Sequence, residues 1–329
     1  MGDTLNSGHR QLNRGRMGER TKRQHIVPRF YLRHFTQADG ELWTHDCVSG
    51  SARKSTPEKT AYETNIYTPL GEDGVRIDLV EDSLAKIESS AAQIYPDLLS
   101  FRRLSNVAKA DFAAFLGTMF ARSPAQLRQF AQFMGQMTSW GTKHEMEREF
   151  RLKEENGELS EVHAAVREIL HNDDLFTMSV DRRVGLLAFQ QAESLSKIMM
   201  RMTWNYEISE NQQLVTSDNP MFWVRGGGPA DIGAYGFGLG NSHAVIPFPI
   251  SPSVILRLDW RPDIEWKKLK LDRQRAKLAN QYQAKHKERF LFFRDHDQGL
   301  LNLAMKYRDP VNLLSPGVPS PKIDVVRKL

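Results

Sequence analysis

The sequence predicts an α+β fold: a central helical bundle packed against a mixed or antiparallel sheet built from N- and C-terminal strands. Three observations carry this expectation. Apolar residues recur at helix spacing through residues 79–203. At Trp204 the composition changes to short β-rich segments separated by turn residues, continuing to residue 260. Far upstream, ELWTHD (41–46) alternates Leu42 and Thr44 against Trp43 and His45, as a strand does. Strands therefore flank a helical middle.

Taken in order, residues 1–23 lack apolar periodicity and read as a disordered basic arm. Residues 24–306 read as a single α+β domain, and the proline-containing residues 307–329 as an extended tail. Structure is expected to begin at QHIVPRFYLRHF, where Pro28 suits the first turn of a short helix. QADG (37–40) is a turn signal, SGSARKSTPEKTA reads as a polar loop, and NIYTP (65–69) as a short strand. Val80, Leu84, Ile87 and Ala91 keep helix spacing, with Pro96 expected to close that helix.

AKADFAAFLGTMFA (108–121) is apolar enough for a buried helix. Ser123 followed by Pro124 opens the next helix, as N-cap and first position. Phe112, Phe115, Phe120, Phe130 and Phe133 fall at helical spacing and read as core. Residues 143–155 read as a separate exposed helix, Ser160 opens another at EVHAAVREIL, and residues 180–202 form a further amphipathic one. WNYEIS, QLVTSD, MFWVR, HAVIPFPI and SVILRLDW are strand candidates. RGGGPADIGAYGFGLG (225–240), with seven glycines, is a loop; residues 272–289 return to helix, and RFLFF (289–293) is a last strand.

Composition narrows the function classes. No apolar run approaches the roughly 20 residues of a membrane helix, and the N-terminal stretch has no apolar core of the kind a secretory signal carries. The single cysteine, Cys47, excludes an intrachain disulfide and fits a reducing, cytoplasmic setting. The net charge is +5; residues 1–24 hold six Lys and Arg against Asp3 and Glu19, so most of the excess sits in the arm. Such an arm suits nucleic acid or another acidic surface.

The segments QHIVPRFYLRHF, LWTHD, NIYT, VEDSLAKIE, ARSP, VTSDNP, PFPISP and LANQYQAKHKERFLFF resemble, in this order, the domain-of-unknown-function family 4238. ARSP and NIYT depart slightly from the ARTP and NFYT forms of that family. The resemblance spans residues 24 to about 293 and implies a bacterial, cytoplasmic protein of this α+β architecture. It implies no activity, cofactor or catalytic residue.

Several residues are candidates for chemistry. QHIVP is similar to the first motif of HNH-type nucleases, whose His acts as general base while a metal holds the phosphate. Here Gln24 stands in place of the usual acid, an aromatic run follows, and no properly spaced Asn and His come downstream. His34, His45, Asp46 and Cys47 form a polar cluster too poor in ligands for zinc. HEMER (144–148) fails the zincin pattern because Arg148 takes the second histidine's place. In TSDNP (216–220), Asp218 and Asn219 suit an Asx-turn or a carboxylate presented at a strand end. The glycine-rich loop lacks the GK(S/T) of a phosphate loop. Asn280, Lys285, His286 and Arg289 could bind anions or form a solvated face.

These residues assemble into one functional expectation: metal-assisted phosphodiester hydrolysis on nucleic acid, of the kind found in defence or toxin systems. His25 is the base, and Asp46 and Asp218 are acid–base groups or ligands of a divalent metal. Lys22 and Arg29 contact phosphate, with Asn65, Asn219 and Asn280 completing the substrate contacts. A non-enzymatic interaction or sensor module is the alternative; it predicts that His25, Asp46 and Asp218 do not converge and that a pocket is lined by apolar groups. A small-molecule hydrolase is the third, and needs a closed pocket under the glycine-rich loop.

Overall fold

The structure is a computed structural model describing residues 23–64, 79–172, 189–226, 238–262 and 264–308. Two larger sheets and a helical layer make up the architecture. The first sheet has the strand order β3-β2-β11-β6 and joins the two ends of the fold. Here β2 (Leu42–Asp46) pairs antiparallel with β3 (Ser51–Ser55) and, on its other side, with β11 (Phe290–Phe293). β11 in turn pairs with β6 (Thr216–Ser217). The N- and C-terminal strands therefore share a sheet.

The second sheet has the order β10-β5-β9-β8-β7. β5 (Thr203–Ser209), β9 (Val254–Asp259), β8 (Ala244–Ser251) and β7 (Val224–Arg225) are antiparallel neighbours. β10 (Lys268–Leu271) adds a parallel edge to β5. A small ribbon joins β1 (Arg23–His25) to β4 (Tyr62–Thr64).

The helices are α1 (Arg29–Arg33), α2 (Leu79–Leu99), α3 (Asn106–Ala121), α4 (Pro124–Glu155), α5 (Glu161–His171), α6 (Phe189–Arg201), α7 (Arg273–His286) and α8 (Gln298–Lys306). Among the described residues no helix is long and apolar enough to cross a membrane. The main core joins α1, α2, α3 and α6 to the second sheet. In it Tyr31, Tyr95, Phe112, Phe115, Trp204 and Phe248 are fully buried. Tyr31 donates to the Pro249 carbonyl, and Tyr95 to that of Ile250, so the buried phenols are satisfied on β8.

From Phe112 onward α3 is buried nearly all round, as its composition predicts, and packs closely on α6. Gly117 permits this approach. A Cβ there would lie 2.5 Å from the carbonyl oxygen of Ala192.

Several expectations need correction. SARKS is not loop but the edge strand β3; its exposed Arg53 and Lys54 are what an edge strand carries to discourage further pairing. α2 runs through Pro96 to Leu99. The proline removes one donor, and its carbonyl still accepts the Ser100 N–H, so the last turn survives. The two helices expected over 124–155 are one helix of 32 residues. Phe133 is not core: it is 53% exposed, on a face of α4 that no other described element covers fully. Arg23, the last residue of the arm expected over 1–23, lies in β1; residues 1–22, the strand expected at 65–69, the start of the 180–202 helix, most of the glycine-rich loop and the tail beyond 308 lie outside the described residues.

Candidate functional site

TSDNP ends β6 directly against the turn between α7 and β11. The Asp218 carboxylate is buried and accepts three consecutive backbone N–H groups, from Glu288 at 2.9 Å, Arg289 at 2.7 Å and Phe290 at 3.0 Å. The Asx-turn expected from sequence is thus replaced by a clasp between distant segments. Burial pushes Asp218 up to about 6, against the pull of the N–H donors and of the Lys287 charge. Asn219 donates its amide to the His286 carbonyl at 2.9 Å. The His286 ring lies flat on Phe222, centroids 4.0 Å apart, and burial lowers its pKa to about 4.

Asp46 reaches the same turn from β2. It holds the Arg289 guanidinium through two bonds, 3.0 Å to Nε and 2.7 Å to Nη2, and that hydrogen bonding holds its carboxyl below the usual range. Asn280 does not lie on a solvated face. It is buried on α7, with its amide donating to the Gln213 carbonyl and its oxygen accepting the Val215 N–H. Asp46, Asp218, Asn219 and Asn280 therefore come together as a set of ties around α7 and β11. Both carboxylates already have their partners, and among the described residues no group of three His, Cys, Asp or Glu could hold a metal. The residues present do not fit the divalent metal expected at Asp46 and Asp218.

His25 has its own set of partners. Burial and the Arg29 charge lower its pKa, with Arg122 and Glu88 also acting on it. Its Nε2 is buried and has no partner among the described residues, while hydrogen bonding to the Glu58 backbone works against the lowering. Arg122, at the C-cap of α3, is buried; it donates to the His25 carbonyl and pairs with Glu88. ARSP thereby ties QHIVP to α2. Arg29 opens α1 and is exposed. Asp46 and Asp218 act electrostatically on Cys47, whose thiol burial pushes up. Lys22 and Asn65 lie outside the described residues.

Sequence reasoning missed two further features. Lys287 is buried, donating to the carbonyls of Ala284 and Tyr307 and so fastening α8 to α7. The other is a cavity of about 250 Å³ between α3, α4 and α6. Phe120, Phe130 and Phe133 give it apolar walls, and Gln126, Gln129 and Gln191 supply uncharged polar ones. The alternation of Phe and Gln in QLRQFAQF was its one sequence signal, masked by reading every Phe as core.

These features define an α+β protein whose distant signature segments are tied together by buried polar side chains, beside an uncharged cavity on a long helix. The chain belongs to the family described as protein of unknown function DUF4238, whose model matches residues 23–297. No curated protein and no solved structure matches it.

Proposed function

We propose that the protein is a non-enzymatic interaction module that receives an apolar, uncharged helical segment on α4 and its cavity. The observation that carries this reading is the lining: three Phe, three Gln and Ala121 around about 250 Å³, with no charged side chain among the described residues that line it. Phosphate-bearing ligands need cationic donors, and the described lining offers none. Carboxamides can instead pair with backbone or side-chain amides of a protein segment while the rings take an apolar anchor.

Binding of labelled amphipathic helical peptides, followed by fluorescence anisotropy, tests the proposal. Saturable binding that is lost in Phe130→Glu and kept in His25→Ala is expected. Equal binding by wild type and Phe130→Glu would remove the reading.

A second reading retains hydrolysis of a phosphodiester, with His25 as base and Arg29 on the substrate. One observation favours it: the Nε2 of His25 is buried with no partner among the described residues and its pKa is lowered by burial, so the ring is kept neutral with a nitrogen open to accept a proton from a bound substrate or water. Phosphodiesterase assays on single- and double-stranded nucleic acid, wild type beside His25→Ala, decide it. Activity abolished by that substitution supports the reading, and no activity in wild type ends it.

A further inference from the structure

The exposed face of α4 has a composition unlike that of a helix facing water. From Gln129 to Thr142 there is no charged residue, in a chain that is 26% charged. Along this stretch Phe130, Phe133, Met137, Trp140 and His144 are spaced 3, 4, 3 and 4 apart, the heptad spacing of a seam between two helices. Phe133 is 53% exposed, Met137 49% and Trp140 66%. Aromatic residues and Met are enriched, and charges depleted, at the centres of protein interfaces.

Knob and hole lie on the same face. Trp140 stands seven residues after Phe133 and fourteen after Gln126, both of which line the cavity, so all three share one side of the helix. About 15 Å of helix separates Trp140 from Phe130. A dry cavity of about 150 Å³ is enough for a benzene ring; the 250 Å³ here has room for an indole.

From these relations we propose that α4 pairs antiparallel with α4 of a second copy of this chain, each Trp140 filling the other's cavity. An antiparallel pair centred near Gly135 sets Trp140 opposite the partner's Phe130 and Met137 opposite the partner's Phe133. Both cavities are then filled by one two-fold operation, which closes the assembly as a dimer. A parallel pair would set Trp140 against the partner's Trp140 and leave both cavities empty. The absence of charge favours a like partner, since nothing on this face asks for an opposite charge. The inference rests on reading this face as a docking surface and names its occupant.

Sedimentation velocity of the full chain over a range of concentrations tests it. Wild type is expected to be a dimer. Trp140→Ala should raise the dissociation constant by about thirtyfold or more, as a buried aromatic anchor does, with an unchanged circular-dichroism spectrum at about 20 °C showing that the chain still folds. Val162→Glu, at an exposed apolar position on α5, should remain a dimer. A wild-type monomer at the highest concentration reached overturns the inference, whether another segment of the chain or a different protein then covers the face. A dimer unaffected by both Trp140→Ala and Phe133→Glu overturns it too. A wild-type monomer that still binds the helical peptides sinks the second copy alone; one that binds none sinks the docking surface with it.

Discussion

Asp218 and Arg289, 71 residues apart in sequence, meet through the backbone: the carboxylate accepts the Arg289 N–H at 2.7 Å. The Arg289 side chain meanwhile holds Asp46. A single residue thus receives one carboxylate on its main chain and another on its side chain, and two strands of the first sheet are locked to the same turn. The consequences for the two carboxylates differ, because one is buried and the other lies against a half-exposed guanidinium.

Removing the buried carboxylate should be costly. Asp218→Ala leaves three N–H groups without their acceptor, at about 1–3 kcal/mol each when buried. Chemical denaturation should show a loss of at least about 3 kcal/mol. Asp46→Ala, which breaks a pair open to solvent, should cost about 1 kcal/mol or less. Equal losses at the two positions would contradict the assignment of roles.

The pH dependence follows from the raised pKa of Asp218, about 6 in the folded chain. A folded value above the unfolded one means that folding takes up a proton between the two. This group therefore adds stability as pH falls through about 6 toward the ordinary carboxylate range, and loses that contribution as pH rises again. Relative to Asp218→Asn, which does not titrate, wild type should gain stability between pH 7 and pH 5. A difference that stays flat across that interval would refute the shift.

Chelation offers a separate check. Because Asp46 and Asp218 are occupied by protein donors, a strong chelator should leave the melting temperature unchanged. A structural metal would instead contribute directly to folding and its removal would lower the melt. A chelator-induced drop reversed by a divalent cation would restore the metal reading.

Packing between α3 and α6 makes the fourth prediction. Gly117→Ala brings a methyl group against the Ala192 carbonyl and the Ser196 hydroxyl. Overpacking of this kind costs about 1–3 kcal/mol. It should also shift α6, which carries Gln191 into the cavity wall. Urea denaturation of the variant measures the cost, and an unchanged midpoint would argue against so close an approach.

Local signals in the sequence were readable where the physics is local. Ser123 and Ser160 cap their helices through backbone N–H groups three residues on, as their positions predict. Strand-forming segments at Leu42–Asp46 and after Trp204 were equally plain. What sequence alone could not supply was pairing over distance. Leu291 sits between His45 and Ser217 only in the folded sheet. Asp218 looked like a turn former because its true donors lie some 70 residues downstream. Asn280 looked like a solvated polar residue on a charged helix, yet it faces inward to the segment before β6. Phe133 shows the converse: helical spacing gives a common face without saying whether the chain itself covers it.

Hydrogen exchange along α4, followed as protein concentration is raised, tests the central claim most directly. If this face docks an apolar partner helix of the same chain, amides from Gln129 to Thr142 gain protection with concentration while those of α5 do not. Protection that is the same at every concentration, in both helices, would mean that nothing in solution takes up the face.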